Sequence, residues 1–532
     1  MFWADEIAAQ VVGPEVVGDS KTPSGTIHVG SLRGVVIHDS IVRALVDAGR
    51  EVRFVYGVDD MDPMDAATLA SREGLTEHMG RPLKDVPAPA GSPHASWARH
   101  FGQTFLATFE RLGIHPDFYW ASELYASGAV DDSIRIALDR AADIRRVYRE
   151  VSHSVKPDDW HPLSVVCESC GRIGTTYVDG WDGEQVSYRC LPDLVSWARG
   201  CGHAGRVTPF GGRAKLPWNV DWVAKWRQFA VKIEGCGKDL STAGGSRERS
   251  DAIARQVFGL EPPLNVPYEF FNVGGRKMKS SAGTGTTAEA MVAALPPEIV
   301  RFLMLRHRPQ QTIEFDPSGE TVPRLFDEYD AFVAVAAGAD AVRGHEAGDP
   351  AQARRIVEMS QLPAQPVPAY FLPPFAQVAT YVQMPGADVA AAIGRHRGAP
   401  LDGDANAELQ RRTAVAERWL REWAPDRYRF AVSESLPDAV QFLDPDQAGV
   451  LARLADRLEV ARDWEPDALQ AAIFESAAAA GVPAVRAFAA VYAAFLGKTG
   501  GPRAGSLLGS LTQRFVVERL RSAAGSAAGV AT

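Results

Sequence analysis

The feature that most constrains the fold lies in the first sixty residues, where an apolar run, a glycine-containing turn, a helix and a second strand follow in order. Residues Val11 to Val17 supply the apolar run, and DSKTPSGTIHVGS supplies turn residues ending in a helix start. From Val29 the apolar positions Val29, Leu32 and Val36 recur at helical spacing, followed by Val42, Leu45 and Val46, and Gly49 closes the helix. Arg53 to Tyr56 then reads as a short buried strand. Strand alternating with helix predicts a parallel sheet covered on both faces, the α/β class.

The rest of the chain divides by pattern. WARHFGQTFLATFERLGI and SIRIALDRAADIRRVYREV have helical period, and the pattern breaks near Pro157. Residues 160 to 213, rich in Cys, Gly and Trp, read as an inserted, loop-rich module. Alternation returns with KLPWNVDWVAKWRQFAVKIEG, and after Pro296 the sequence is overwhelmingly helical. The Pro-punctuated PAQPVPAYFLPPFAQV (363–378) links helical units, and SAAGSAAGVAT is a frayed tail. At 532 residues several domains are expected. They are a catalytic domain over 1–155 and 214–292, an insertion over 156–213, a helical connection over 293–350 and a helical domain over 351–532.

Charge and cysteine usage exclude several classes. A net charge of −10 argues against a uniformly basic nucleic-acid-binding surface, though not against a local basic groove. No apolar run approaches the roughly 18 to 20 residues of a membrane helix. The start, MFWADEIAAQ, lacks the basic-then-apolar order of a secretory signal, so a cytoplasmic protein is expected. Four of five cysteines crowd between Cys167 and Cys201, which points to a metal in a reducing compartment rather than to disulfides. Cys167-x₂-Cys170 offers two thiolates from one turn, and Cys190 and Cys201 complete a tetrahedral set, with His203 the other choice for the fourth ligand. Such a closed set predicts a structural zinc. Cys236 stands apart and reads as a small core residue.

Two segments suit phosphate. TPSGTIHVGS (22–31) falls at a strand-to-helix turn, where Gly25 and Gly30 admit close backbone approach, the helix N-terminus presents free N–H groups, and His28 can donate to an anion. An ordinary βα turn with a surface histidine fits the same residues. GGRKMKSSAGTG (274–285) follows the strand EFFNV and places cations among Gly and Ser, which suits a polyphosphate gaining charge as a bond to phosphorus breaks. GTGTTA (283–288) is in the wrong place for a dinucleotide fingerprint, and LGKTG lacks the leading glycine of a phosphate-binding loop because Tyr492 stands there.

HVGS and KMKSS together resemble the HIGH and KMSKS signatures of class I aminoacyl-tRNA synthetases, and the wider context is similar to the class I, archaeal-type lysyl-tRNA synthetases. The resemblance is colinear through YGVDDMDPMD, CESCGRIGTT, GCGHAG, KLPWNVDW, GKDLSTAGGS, PYEFFNVGG and RFLMLRHRP to FLGKTGGPRAG and RFVVERLR. It implies a Rossmann-like parallel-sheet catalytic domain with a zinc-binding insertion, followed by an all-α anticodon-binding domain. It also implies ATP- and Mg²⁺-dependent activation of L-lysine, with tRNA-Lys bound, and transfer to the terminal adenosine of that tRNA; a monomer is expected. On this resemblance His28, Gly30, Lys277 and Lys279 are catalytic, and Ser24, Ser31, Met278, Ser280 and Ser281 join His28, Gly30 and Lys277 in binding ATP. Gly25 and Thr26 stand where the family contacts the amino acid through backbone. For the lysine side chain, an aromatic face and an acceptor are expected from Trp218, Trp222 and Tyr268 with Asp59, Asp60 and Asp221; core packing explains the two tryptophans equally well.

Two departures bear on activity. The family usually has GKDH, and this chain has Leu240 in place of the histidine. The family loop is usually KMSSSKG, and here Lys279 replaces a serine and Ala282 a lysine, so a cation moves by three residues. A catalytically weakened or silent tRNA-binding paralogue, or another amino-acid specificity on the same scaffold, therefore stays open beside the lysine reading. In the C-terminal part Arg354, Arg355, Arg395, Arg397, Arg411, Arg412, Arg503, Arg514, Arg519 and Arg521 are the candidate RNA phosphate contacts, against solvated helical faces for any single cluster.

Overall fold

A computed structural model of the chain describes residues 1–13, 15–274, 276–277, 287–339 and 349–528. A short helix, α1 (Trp3–Ala8), precedes the first strand, β1 (Glu15–Lys21). The strand thus starts partway along the apolar run and extends beyond it to Lys21. Val12 is exposed and Gly13, at φ +115°, turns the chain before the ladder starts at Glu15 opposite Val52. The polar half of β1, Asp19 to Lys21, carries no strand signal of its own and is extended because neighbours pair with it.

The helix α2 (Gly30–Asp47) follows, then β2 (Val52–Val58) and β3 (Asp117–Trp120), with both strand pairings parallel. On the other side of β1 the sheet continues through isolated parallel bridges, Val17 to Ile233 and Ile233 to Leu264. In chain order the sheet therefore runs 3-2-1-4-5, a doubly wound arrangement whose order reverses between β1 and the Ile233 segment. α2 is fastened beneath it by two buried side chains. Arg33 donates to the carbonyls of Phe270 (3.1 Å), Pro309 (3.0 Å) and Gln311 (2.5 Å), and Asp39 accepts from Arg301 (2.7 Å).

The insertion is a three-stranded antiparallel sheet, Thr176–Trp181, Val186–Cys190 and Ala204–Val207, reached through the paired strands Ser164–Val165 and Ala214–Lys215. It is keyed to the catalytic segment by backbone, since Ile173 and Gly174 both donate to the Gly80 carbonyl (2.7 and 3.0 Å) and Arg172 donates to that of Met79.

Two compact units divide the chain, Met1–Asp316 with Ala331–Val367, and Pro317–Asp330 with the residues from Pro368 onward. The second division falls inside the Pro-punctuated segment. The helix Pro350–Ser360 lies in the first unit, where the Arg301 guanidinium donates to the Met359 carbonyl (2.9 Å). The second unit is helical, built around Val450, Leu454, Leu469, Val491 and Leu520. Two arginines read as phosphate contacts are internal there. Arg412 is buried against Asp330, Glu408 and the Pro373 carbonyl, and Arg519 donates to the carbonyls of Ser433 and Glu434, because helices packed on each other need donors for buried acceptors. No single described helix is long and apolar enough to cross a membrane.

Candidate active site

Open parallel sheets bind ligands beyond the carboxyl ends of their strands, where the strand order reverses. At that point lies a cavity of about 610 Å³, lined by Ser20 and Lys21 at the end of β1 with Thr22 and Ser24 after it, by Asp59, Asp62 and Asp65 after β2, and by Ser164, Ile173 and Gly174 of the insertion. Its remaining wall is Lys215 to Trp218 with Asp221, Trp222 and Lys225 of the helix Trp218–Phe229.

The floor is a buried charge network. Lys215 pairs with Asp62 (2.8 Å) and Asp221 (3.1 Å), and Lys225 pairs with Asp221 (2.9 Å) and Asp59. Tyr125 donates its hydroxyl proton to Asp221 (2.6 Å). Burial pushes the Asp221 carboxyl up, but the two ammonium groups outweigh it and hold the group at about 2. For Asp59 the balance is reversed, burial raising its pKa more than Lys225 lowers it. Thr22 donates to Asp62 (2.5 Å), which ties the loop after β1 to this network.

Above the floor stands a tryptophan ladder. Trp218, 43% exposed, stacks on Trp222 with ring centroids 4.9 Å apart, and Trp222 packs against Trp226 at 5.1 Å. One buried carboxylate orients the ladder, Glu234 accepting from the indole nitrogens of Trp222 and Trp226 at 2.7 Å each. Glu234 lies in the strand beside β1, where Gly18 has room only because it lacks a side chain: a Cβ there would stand 2.9 Å from Val231 and 3.0 Å from the Glu234 carboxylate. On the α2 side His38 accepts the Gly235 N–H (2.8 Å) and donates to Asp19 (3.1 Å).

The residues singled out in the sequence do not all meet in one place. Ser24, Asp59, Trp218, Trp222 and Asp221 line the cavity. Gly25, Thr26, His28, Gly30 and Ser31 form the loop and first turn leading into α2, where Ser31 donates to the His28 carbonyl (3.0 Å). Asp60 turns away, accepting from the Ser122 N–H (2.7 Å) and hydroxyl (2.5 Å), and Tyr268 lies against α2, its hydroxyl 2.6 Å from where a Cβ on Gly34 would be. Lys277 ends the short strand Arg276–Lys277, which pairs with Phe271–Val273. Met278, Lys279, Ser280 and Ser281 lie outside the described residues. Lys21, Asp62, Lys215, Lys225 and Glu234 were not foreseen. Only Lys225 had a sequence signal, its i+4 spacing from Asp221 on one helix face.

In the insertion the sulfurs of Cys167, Cys170, Cys190 and Cys201 all lie within 4.8 Å of one another. Cys167 to Cys201 and Cys170 to Cys190 are each 3.7 Å apart, close to the roughly 3.8 Å that a tetrahedral metal with 2.3 Å bonds to sulfur imposes. The four cysteines make the set without His203, whose ring packs against Tyr188 at 5.9 Å. The residues fit a closed S₄ metal site.

A doubly wound sheet with a charged cavity at its switch point defines an α/β core of the ligand-binding kind. Residues 1–362 match the family model "tRNA synthetases class I (K)", and residues 425–524 match "Anticodon binding domain". A relative from Archaeoglobus fulgidus, "Lysine--tRNA ligase", is 34% identical over 98% of this chain and 100% of its own length. "Lysine--tRNA ligase 1" of Methanosarcina acetivorans is 32% identical over 98% of each, and "Lysine--tRNA ligase" of Pyrococcus horikoshii is 32% identical over 98% of this chain and 99% of its own length. The chain belongs to the class I lysyl-tRNA synthetases.

Proposed function

We propose that the chain is a lysine–tRNA ligase, joining L-lysine to ATP as lysyl-adenylate and passing the lysyl group to the terminal adenosine of tRNA-Lys. The observation that carries this reading is the charge of the cavity lining. Asp59, Asp62, Asp65 and Asp221 stand against Lys21, Lys215 and Lys225, one negative charge in excess beside the open face of Trp218. An ammonium side chain balances that charge and gains a cation–π contact; an acidic one adds to it.

The chemistry asks for position and charge rather than a covalent enzyme intermediate. The start of α2 offers the Gly30 N–H to the nucleotide phosphates, with His28 as a further donor. Lys277 and Lys279 meet the leaving pyrophosphate, and Met278, Ser280 and Ser281 join Lys277 in binding ATP. Gly25 and Thr26 hold the amino acid by backbone, and Asp59 with Trp218 and Trp222 holds its side chain. Mg²⁺ bound chiefly through ATP neutralises phosphate charge. Zinc held by the four cysteines keeps the insertion folded against the cavity wall. The second unit binds tRNA, stacking exposed anticodon bases on aromatic side chains.

Pyrophosphate–ATP exchange with each of the twenty amino acids, with and without tRNA-Lys, tests the reading. Exchange with lysine in the presence of tRNA supports it. Exchange with another amino acid transfers the reaction to that substrate, and tRNA binding without any exchange makes Leu240 and Ala282 marks of a silent paralogue.

A further inference from the structure

Three lysines line the cavity, and they are not alike. Lys215 and Lys225 are each held by two carboxylates and serve the network that holds the floor together. Lys21 is the last residue of β1, directly before the TPSG turn and at the point where the strand order reverses. Its carbonyl accepts the Asp59 N–H (3.0 Å), which fixes the backbone beside the acidic floor. Among the described residues, none forms an ion pair with the Lys21 ammonium or accepts a hydrogen bond from it. Burial lowers its pKa against the more distant pull of Asp19 and Asp239. A partly buried ammonium without a contact partner is costly, and an anion arriving in the cavity removes that cost.

We infer that Lys21 is a catalytic residue of amino-acid activation, donating to the substrate carboxylate and to the α-phosphoryl group that this carboxylate attacks. A carboxylate oxygen forms the new bond to the α-phosphorus while the bond from that phosphorus to the bridging oxygen breaks, and the electron pair leaves on pyrophosphate. No proton moves, so Lys21 stays charged throughout. It brings two anions together before the bond forms and holds negative charge on the phosphoryl oxygens as it forms. The inference rests on the amino-acid-activating reading above but not on lysine as the substrate, because the carboxylate is common to every amino acid.

The test uses the full chain with its tRNA and whichever amino acid supports exchange in the unaltered enzyme. Lys21→Met should lower the exchange rate by roughly 100-fold, the order expected for losing one transition-state donor. It should also weaken binding of the amino acid while leaving binding of its amino alcohol, which lacks the carboxylate, unchanged. Lys21→Arg, which keeps the charge, should restore part of the rate. Exchange within about two-fold of the unaltered enzyme would overturn the assignment, as would equal loss of amino acid and amino alcohol, which marks general damage to the cavity. Unchanged tRNA affinity checks that the variant folds, and Lys21→Gln gives a second variant if Lys21→Met does not. Exchange with an amino acid other than lysine would refute the lysine reading and leave the Lys21 comparison intact on that substrate. Exchange with none would refute both.

Discussion

Lys225 and Asp221 show how much a single residue of this cavity carries. Lys225 is the only ammonium in contact with Asp59 among the described residues and one of two in contact with Asp221, and all three side chains are buried or nearly so. Lys225→Met leaves Asp59 facing the cavity unpaired, and such an uncompensated buried charge typically costs about 3–5 kcal/mol. A lowered urea midpoint with an unchanged slope is the expected result. Asp221 makes a pH-dependent contribution. Its carboxyl is held at about 2, below the ordinary 3.8, so its stabilisation is complete above 3.8 and is lost as pH falls through 2. The depression corresponds to about 2 kcal/mol. Asp221→Asn should therefore be less stable than the unaltered chain at pH 5 to 7, and urea titrations should show the gap closing as pH falls below 4. A gap independent of pH would place the loss in packing instead.

At the scale of elements, α2 was legible because its apolar spacing is helical throughout, and the cysteine module because four soft ligands cluster in few residues. β1 was misplaced for the opposite reason. Its C-terminal half, Asp19 to Lys21, is polar, and only pairing with β2 makes it a strand. Glu234 left no trace in the sequence, since its two indole donors come from the preceding helix across a loop. The insertion is more than an appendage, because Ser164, Ile173 and Gly174 form part of the cavity wall. A Cβ on Gly174 would meet the Trp197 ring at 2.5 Å, so this wall is already packed tight. Stripping the metal with a chelator should release one zinc per chain, detectable with a colorimetric indicator. It should also raise KM for the amino acid more than KM for ATP, since the proposed function puts the nucleotide's contacts at α2 and Lys277. Equal changes in the two would separate the insertion from the amino-acid site.

At the scale of the molecule, the order of the sheet could not be read from the chain, because the two strands that complete it are isolated bridges at Ile233 and Leu264 after a long insertion. Nor could the reach of the second unit, which takes Pro317–Asp330 from well before the proline-rich segment. Arg412 is the residue that closes this unit. Its guanidinium is fully buried and meets Asp330 (2.6 and 2.7 Å), Glu408 (2.7 Å) and the Pro373 carbonyl (2.8 Å), so one side chain joins three stretches of sequence. Arg412→Leu strands the Asp330 carboxylate, leaves Glu408 with Arg411 alone (3.0 Å) and loosens the packing of those stretches, with a cost of about 3–5 kcal/mol. Every partner of Arg412 lies in the second unit, so the fault is confined to the part that binds tRNA under the proposed function. The expected outcome is a raised KM for tRNA in the exchange reaction, with the rate at saturating tRNA preserved and KM for lysine unchanged. A fall in the saturated rate would mean that the second unit transmits more to the catalytic cavity than the binding of tRNA.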